Sequence, residues 1–194
     1  KDLTEDIARR YAYCYYSFLK EKIKREPKII IGNDTRESSS ELKKAIIDVF
    51  PYVIEVNIAT TPAIELAVRE YKLDGGIIIT ASHNPAEYNG FKIRGDFAGP
   101  AHPEQIDEVE KELKKVLHQG DSKPRKSLPQ LLDEGTIEYL DLRKLYLNDI
   151  KRKVDLEAIK RSGLKILYDA MYGAGQGVMQ VLIPDVARMH DTYN

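Results

Sequence analysis

The sequence has little of several residue types, and each scarcity removes a class of protein. Its 194 residues contain no tryptophan and one cysteine, Cys14. No disulfide can therefore form within the chain, which is typical of a reducing compartment. No apolar run approaches the roughly 20 residues that a membrane-spanning helix needs, and the N-terminal residues lack the apolar segment of a secretory signal. We therefore expect a cytoplasmic protein without a membrane partner.

The chain also lacks an excess of charge of either sign. Thirty basic residues stand against 31 acidic ones, for a formal net charge of −1. This balance argues against nucleic acid as the main partner. No CxxC, HExxH or close histidine–carboxylate cluster suggests zinc. A hydrophobic content of 42% is enough for an ordinary core.

The first two thirds of the sequence alternate between helical and strand patterns. Apolar spacing, capping residues and turn residues define the bounds of each element. Strands that alternate with helices imply right-handed parallel crossovers, and hence an α/β fold with a mixed, mostly parallel sheet between helices. The predicted helices cover 4–24, 39–49, 61–71 and 103–117, and the predicted strands cover 28–32, 52–58, 76–80 and 91–94.

The last third predicts a second, similar unit. We expect a first domain over 1–120, a polar linker over 121–135 and the beginning of a second domain over 136–194. A helix is predicted over 136–150 and a strand over 164–168. Two interpretations remain for the glycines that follow this strand, a dinucleotide site or a tight turn, and the turn is favoured because the spacing is not GxGxxG. These glycines are Gly173, Gly175 and Gly177.

The most informative stretch reads GIIITASHNPAEYNGFKI, over residues 76–93. Ser82 lies just past the end of a buried-looking strand, where side chains in open α/β sheets meet ligands. His83 follows it, and a hairpin-like return brings the charge of Lys92 back toward the serine. A hydroxyl, an imidazole and an ammonium group at one strand end suggest chemistry on a phosphate.

This stretch resembles the active-site serine loop of the α-D-phosphohexomutases, the family of phosphoglucomutases and phosphomannomutases. The resemblance is carried by TASHNP at 80–85 and NGFK at 89–92, with weaker support from GNDTRESS at 32–39 and from Thr61-Pro62. It implies the fold of the family's first domain, followed by the start of its second. It also implies that the chain stops before the family's metal loop, a DGDGDR-type run, and is inactive by itself.

The resemblance further implies roles for individual residues. Ser82 is the expected phosphoserine, Lys92 and His83 are expected to act beside it in catalysis, and Asn84 and Arg36 are expected to bind substrate or brace the loop. The expected cofactor is Mg²⁺, held by a phosphate oxygen on Ser82 and by aspartates of the metal loop. The expected partners are a hexose phosphate and a hexose 1,6-bisphosphate.

Other interpretations of the loop remain open. A loop serine is most often a turn or capping residue. The chain could be a noncatalytic sugar-phosphate-binding or regulatory module that retains the loop. Within the family, it could be a phosphoglucosamine mutase, although Thr80 and Phe91 favour the phosphoglucomutase or phosphomannomutase branch. A serine hydrolase is disfavoured because the G-x-S-x-G elbow is missing.

Overall fold

The computed structural model describes residues 3–119 and 137–192. In these residues the strands form two sheets, one of five strands and one of two. The strands are β1 (Ile29–Asn33), β2 (Val53–Ile58), β3 (Gly75–Ile79), β4 (Phe91–Gly95), β5 (Ile137–Tyr139), β6 (Leu167–Asp169) and β7 (Ala187–Met189).

Helices connect most of these strands and cover the first sheet. Thr4 caps the first helix, because its hydroxyl accepts the N–H of Ile7. Pro62 lies in the first turn of the third helix, where its missing N–H costs nothing. No described helix has the length and apolarity that crossing a bilayer requires. The helices are α1 (Glu5–Ile23), α2 (Ser39–Ile47), α3 (Thr61–Glu70), α4 (Pro103–Gln119), α5 (Leu142–Lys153), α6 (Leu156–Arg161) and α7 (Val178–Leu182).

The five-stranded sheet has the order β4-β3-β1-β2-β5. Strands β1, β2, β3 and β5 are parallel, and β4 pairs antiparallel with β3 at one edge, with Ile79 opposite Phe91. The predicted mixed, mostly parallel sheet between helices is therefore confirmed. Since β4 returns directly along β3, the segment between them forms a loop at the carboxyl end of β3.

The core lies on both faces of this sheet. Every residue of β1 and of β3 is buried, as expected for central strands covered on both sides. Cys14 is fully buried in the cluster beneath α1, α2 and α4, and burial raises the pKa of its thiol to about 11. The opposite cluster joins β1, β2 and β3 to α3 and α5.

The sequence prediction fails at residues 136–150, where a single helix was expected. The structure has strand β5 there, then helix α5, which begins after Asp141. β5 pairs with the free edge of β2, and the Asp141 carboxylate caps α5 by accepting the N–H of Arg143. Residues 137–139 are thus part of the first sheet, although the sequence placed them in the second domain. The predicted linker, 121–135, lies outside the described residues, and the rest of the domain division stays a prediction.

The second unit is the small parallel pair β6–β7 with α5, α6 and α7 around its own apolar cluster. The glycines after β6 form a tight turn, as favoured from the sequence. Gly177 has φ +70°, and an added Cβ at Gly175 would lie 2.4 Å from the Tyr168 hydroxyl. That hydroxyl donates to the Gly175 carbonyl at 3.1 Å.

Candidate active site

The candidate site is the loop over residues 80–90, which we call the serine loop. It leaves the buried strand β3 and returns as β4, and its base is closed by the Thr80 N–H, which donates to the Gly90 carbonyl at 3.0 Å. A Cβ at Gly90 would lie 2.8 Å from the Thr80 carbonyl oxygen. The backbone therefore closes this tightly only because residue 90 is glycine.

Ser82 has an exposed side chain on a backbone that is held on both sides. Its N–H donates to the Thr80 hydroxyl oxygen at 3.0 Å, and its carbonyl accepts from Arg36 at 3.0 Å. Its φ of +57° lies in the left-handed region, which L-residues other than glycine seldom adopt. Held in this conformation, Ser82 presents its hydroxyl to solvent at the carboxyl end of the sheet.

His83 and Asn84 follow with exposed side chains. The imidazole of His83 has no hydrogen-bond partner within the described ranges, so it does not hold the loop together. Asn84 contributes to the hydrogen bonds of the loop through its backbone. Its N–H donates to the Ala81 carbonyl at 3.1 Å, and its carbonyl accepts from Arg36 at 2.6 Å. Both side chains are thus free to meet a ligand.

Lys92 lies on β4 directly opposite Ile78 of β3, two residues past the loop base. It is half-buried. Arg94, two residues further along the same face, forms an ion pair with Glu65 of α3 at 3.0 Å. Lys92 has no such partner in the part of the chain that the structure describes. An unpaired ammonium group therefore lies near the base of the serine loop, although no direct contact joins it to Ser82.

Arg36 contacts the backbone of the serine loop. Its guanidinium group donates to four loop carbonyls, and its Nε donates to the Asp34 carboxylate at 3.1 Å. The side chain is only 10% exposed. Of the two roles expected from the sequence, this geometry favours bracing of the loop, and the role stays a prediction. The accepting carbonyls belong to Ser82, Asn84, Pro85 and Tyr88, at 2.6–3.0 Å.

Sequence reasoning missed the role of the Thr80 side chain, which shapes the loop from within together with Asn89. The Thr80 hydroxyl donates to Asp34 at 2.6 Å while accepting the N–H of Ser82. Asn89 donates from Nδ2 to the hydroxyl oxygens of Ser38 and Ser39, at 3.1 and 2.8 Å, and accepts the N–H of Gly90. The serines of GNDTRESS could have indicated this support, because serine hydroxyl groups outside regular elements commonly form hydrogen bonds with neighbouring groups.

A Mg²⁺ site cannot be completed from the described residues. Among them, no three histidine, cysteine, aspartate or glutamate side chains come together as metal ligands. A phosphate oxygen on Ser82 would supply one ligand, and Mg²⁺ prefers near-octahedral oxygen coordination.

A cleft of about 780 Å³ lies elsewhere on the same edge of the sheet, near the ends of β2 and β5. It includes the buried ion pair between Lys43 and Glu55, at 2.9 Å. None of Ser82, His83 and Lys92 lines this cleft. The candidate active site is therefore an exposed loop rather than an enclosed cavity.

Comparison with known proteins agrees with this geometry. The family described as phosphoglucomutase/phosphomannomutase, alpha/beta/alpha domain I, matches residues 1–119. A phosphoglucomutase/phosphomannomutase from Thermococcus kodakarensis is 31% identical over 190 residues, which are 96% of this chain and 40% of that protein. A phosphoglucosamine mutase from Caldanaerobacter subterraneus is 33% identical over 193 residues, again 96% of this chain and 40% of that protein.

Solved structures give the same result. A protein from Thermus thermophilus described as a phosphomannomutase superimposes with a TM-score of 0.80 at 25% identity, covering 97% of this chain and 42% of that one. The chain thus spans about two fifths of the length of the relatives it matches. The family match covers residues 1–119, which include most of the described first sheet. This chain therefore belongs to the phosphoglucomutase/phosphomannomutase family and carries that family's first α/β/α domain.

Proposed function

We propose that the chain is the phosphoserine-bearing part of a phosphohexomutase, which interconverts hexose 1-phosphate and hexose 6-phosphate through a 1,6-bisphosphate. The observation that carries the proposal is the presentation of Ser82. Its hydroxyl is exposed and unpaired among the described residues, while both backbone groups of the same residue are hydrogen-bonded. A residue that served only to cap or shape the turn would use its hydroxyl in a hydrogen bond.

The proposed reaction has two transfers. In the first, the bond between phosphorus and Ser82 Oγ breaks while the phosphorus bonds to a sugar hydroxyl oxygen, which loses its proton. In the second, the sugar has reoriented, and the bond between its other phosphorus and the sugar oxygen breaks while that phosphorus bonds to Ser82 Oγ; the sugar oxygen takes up a proton. Such transfers pass through a loose transition state with charge on the phosphoryl oxygens, so they depend on positioning and on nearby cations.

Lys92 and His83 supply the groups that this chemistry needs. The ammonium group of Lys92 lies near the loop base without an ion-pair partner among the described residues, and we assign it the stabilisation of charge on the transferring group. The exposed imidazole of His83, directly after Ser82, is suited to accept or return the proton of the reacting hydroxyl. Asn84 offers its exposed side-chain amide to the substrate.

The family resemblance assigns Mg²⁺ to the phosphoserine. A phosphoserine carries about −1.5 to −2 charges at neutral pH, so a cation at this position is favourable. Its protein ligands other than the Ser82 phosphate would come from residues outside the described set.

Glucose and mannose phosphates are the proposed substrates, and a phosphoglucosamine mutase is the second candidate. The second candidate is kept because relatives with that name are as similar to this chain as the phosphoglucomutase/phosphomannomutase is. We also propose a cytoplasmic location, on the basis of the single cysteine and the substrate class.

The proposal is testable in a chimera in which this chain replaces the aligned 190 residues of the Thermococcus kodakarensis relative. Conversion of glucose 1-phosphate, mannose 1-phosphate and glucosamine 1-phosphate is measured with Mg²⁺ and a trace of the matching bisphosphate. We expect turnover with one or more of these, and a phosphate adduct on the peptide that contains Ser82. Ser82→Ala should abolish both.

Ser40→Ala is the matched control, because Ser40 is an exposed serine on α2 at the same edge of the sheet. It should leave turnover and the adduct intact. A folded chimera without turnover on any of the three sugars, or one that is still active as Ser82→Ala, would contradict the proposed function. It would favour a noncatalytic sugar-phosphate-binding module.

A further inference from the structure

The number of hydrogen-bond donors on Arg36 limits what this residue can do. A guanidinium group has five N–H donors and no acceptor. In Arg36 the single Nε donor goes to Asp34, and the two donors on each Nη go to two carbonyls of the serine loop. All five donors are therefore occupied by the chain itself, and a phosphate could bind Arg36 only by displacing a loop carbonyl.

Asp34 is the second fixed point of the same arrangement. One carboxylate oxygen accepts from Arg36 Nε and from the Thr80 hydroxyl, and the other accepts from the Arg36 N–H and the Ser39 hydroxyl. Its own N–H donates to the carbonyl of Ile79, the last residue of β3. Hydrogen bonds to an ionised group are stronger than neutral ones, so Asp34 ties the guanidinium group and Thr80 to the end of the buried sheet.

Both connections end at Ser82. Asp34 holds Thr80, whose hydroxyl oxygen accepts the Ser82 N–H, and Asp34 also orients Arg36, which holds the Ser82 carbonyl. One carboxylate therefore fixes the peptide groups before and after this residue. The left-handed φ of Ser82 is unfavourable for serine, and these two hydrogen bonds keep it there.

We propose that Asp34 and Arg36 are positioning residues that clamp the backbone of Ser82 from both sides, so that only its side chain turns during phosphoryl transfer. The pair acts through the loop backbone and never contacts the substrate. The expected effect of these residues on turnover rests on the proposed function, whereas the clamp on the backbone does not depend on it.

The clamp is tested first by amide hydrogen exchange in this chain. Arg36→Lys keeps the positive charge but cannot reach four carbonyls from one nitrogen. The loop amides that donate within residues 80–90 should then exchange about tenfold faster or more, because local opening has become easier, while amides of β3 keep their rates. The amides to follow are those of Ser82, Asn84, Tyr88 and Gly90.

Arg25→Lys is the matched control. Arg25 binds Asp74 through both Nη atoms at the opposite end of β3, so the same replacement there should leave the loop amides unchanged. Asp34→Asn keeps the size of the side chain and should loosen the same amides, which provides a second variant should Arg36→Lys fail to fold. Unchanged loop amides in Arg36→Lys and Asp34→Asn, or equal acceleration across the whole chain in all three variants, would overturn the clamp.

The second test is kinetic and uses the chimera. Misplacement of a reacting group by about 1 Å can cost roughly 10²-fold in rate, so Arg36→Lys should lower kcat by about 10- to 100-fold and leave KM nearly unchanged. A raised KM with unchanged kcat would show that Arg36 binds the substrate phosphate, which the proposal forbids. If the chimera has no activity, exchange alone decides the clamp, and only the proposed function fails.

Discussion

The loops that follow β3 and β6 occupy the same kind of position, at the carboxyl end of a parallel strand, yet they are held very differently. Arg36 donates five hydrogen bonds to hold the first loop, four of them to loop carbonyls. Arg143 donates one hydrogen bond to the second, from Nη2 to the Gln176 carbonyl at 3.1 Å. The loop with candidate catalytic side chains is the one in which a single guanidinium group holds four backbone carbonyls. A reacting group needs such support because its placement must be reproducible.

The strands that carry the two loops also differ in how far they are buried. β3 is buried along its whole length, whereas Leu167 on β6 is 61% exposed and Met189 on β7 is 43% exposed. The first sheet has helices on both faces, and the second is covered much less among the described residues. Burial thus gives the serine loop a rigid base, which the loop after β6 has only in part.

The largest expected difference is in stability. Ile77→Ala, on the fully buried β3, should lower the free energy of unfolding of the chain by about 2–5 kcal/mol, since it removes core contacts and leaves a cavity. Leu167→Ala, on the exposed β6, should change it by about 0.5 kcal/mol or less. Denaturant unfolding followed by circular dichroism measures both. Equal losses would show that β6 is buried in solution.

The next largest difference is catalytic. Lys92→Ala in the chimera should lower kcat by about 10² to 10³, or roughly 2.7–4 kcal/mol, because a cation aimed at developing charge acts mainly in the transition state. Arg143→Ala, beside the second loop, should leave kcat close to that of the parent. Steady-state kinetics give kcat and KM for both variants. A rise in KM alone would make Lys92 a binding residue.

A third, smaller difference comes from two hydroxyl groups. Thr80→Val removes the donor to Asp34 and the acceptor of the Ser82 N–H, and should destabilise the chain by about 1–3 kcal/mol. Tyr168→Phe removes only the hydrogen bond to the Gly175 carbonyl and should cost about 0.5–1.5 kcal/mol. The losses in the free energy of unfolding of the two variants are measured by thermal or denaturant unfolding. The comparison would be reversed if Tyr168→Phe proved the more costly change.

The smallest effect is a pH dependence confined to the second loop. The hydrogen bond from the Met171 N–H, and next the contact with His190, hold the pKa of Asp169 below its ordinary value. A depressed carboxyl pKa means that the stabilisation is complete above the unfolded pKa of about 3.9 and is lost as the pH falls through the lower folded value. The Met171 amide shift, followed by NMR, should therefore show an acid transition below about pH 4.

Asp169→Asn is the control for that titration, because it keeps an acceptor for the Met171 N–H and removes the ionisable group. The amide shift of Met171 should then lose its acid transition. A transition that persists in Asp169→Asn would assign the effect to another group of the second unit.

Much of the first sheet was predictable, for identifiable reasons. Its strands are short apolar runs between turn residues, and its helices have capping residues and apolar spacing, so most bounds fell within a few residues of the structure. β5 was missed because Ile137 and Leu140 fit a helical spacing, while Ile137 and Tyr139 fit the alternating spacing of a strand. The pairing with the edge of β2 decides between them, and this is a long-range contact that no local pattern contains.

For the site, the sequence identified the loop and gave bracing as one of two roles for Arg36, but it did not give the hydrogen bonds that support the loop. Ser82, His83 and Lys92 were found from motif and strand position, and their catalytic roles stay predictions. The shared carboxylate of Asp34 and the double role of the Thr80 hydroxyl depend on distances between segments about 46 residues apart. Such distances exist only once the sheet has brought the end of β1 beside the end of β3.

The left-handed backbone at Ser82 sets stability against function at a single position. Glycine would adopt φ +57° without the penalty of about 1–2 kcal/mol that a side chain brings. This relief outweighs the roughly 0.4–1 kcal/mol by which the greater freedom of glycine stabilises the unfolded chain. A Ser82→Gly chain would therefore fold at least as well as the parent while lacking the hydroxyl group. Selection for thermal stability alone would drive this residue toward glycine, so a stabilised library of this chain must be screened for turnover at the same time.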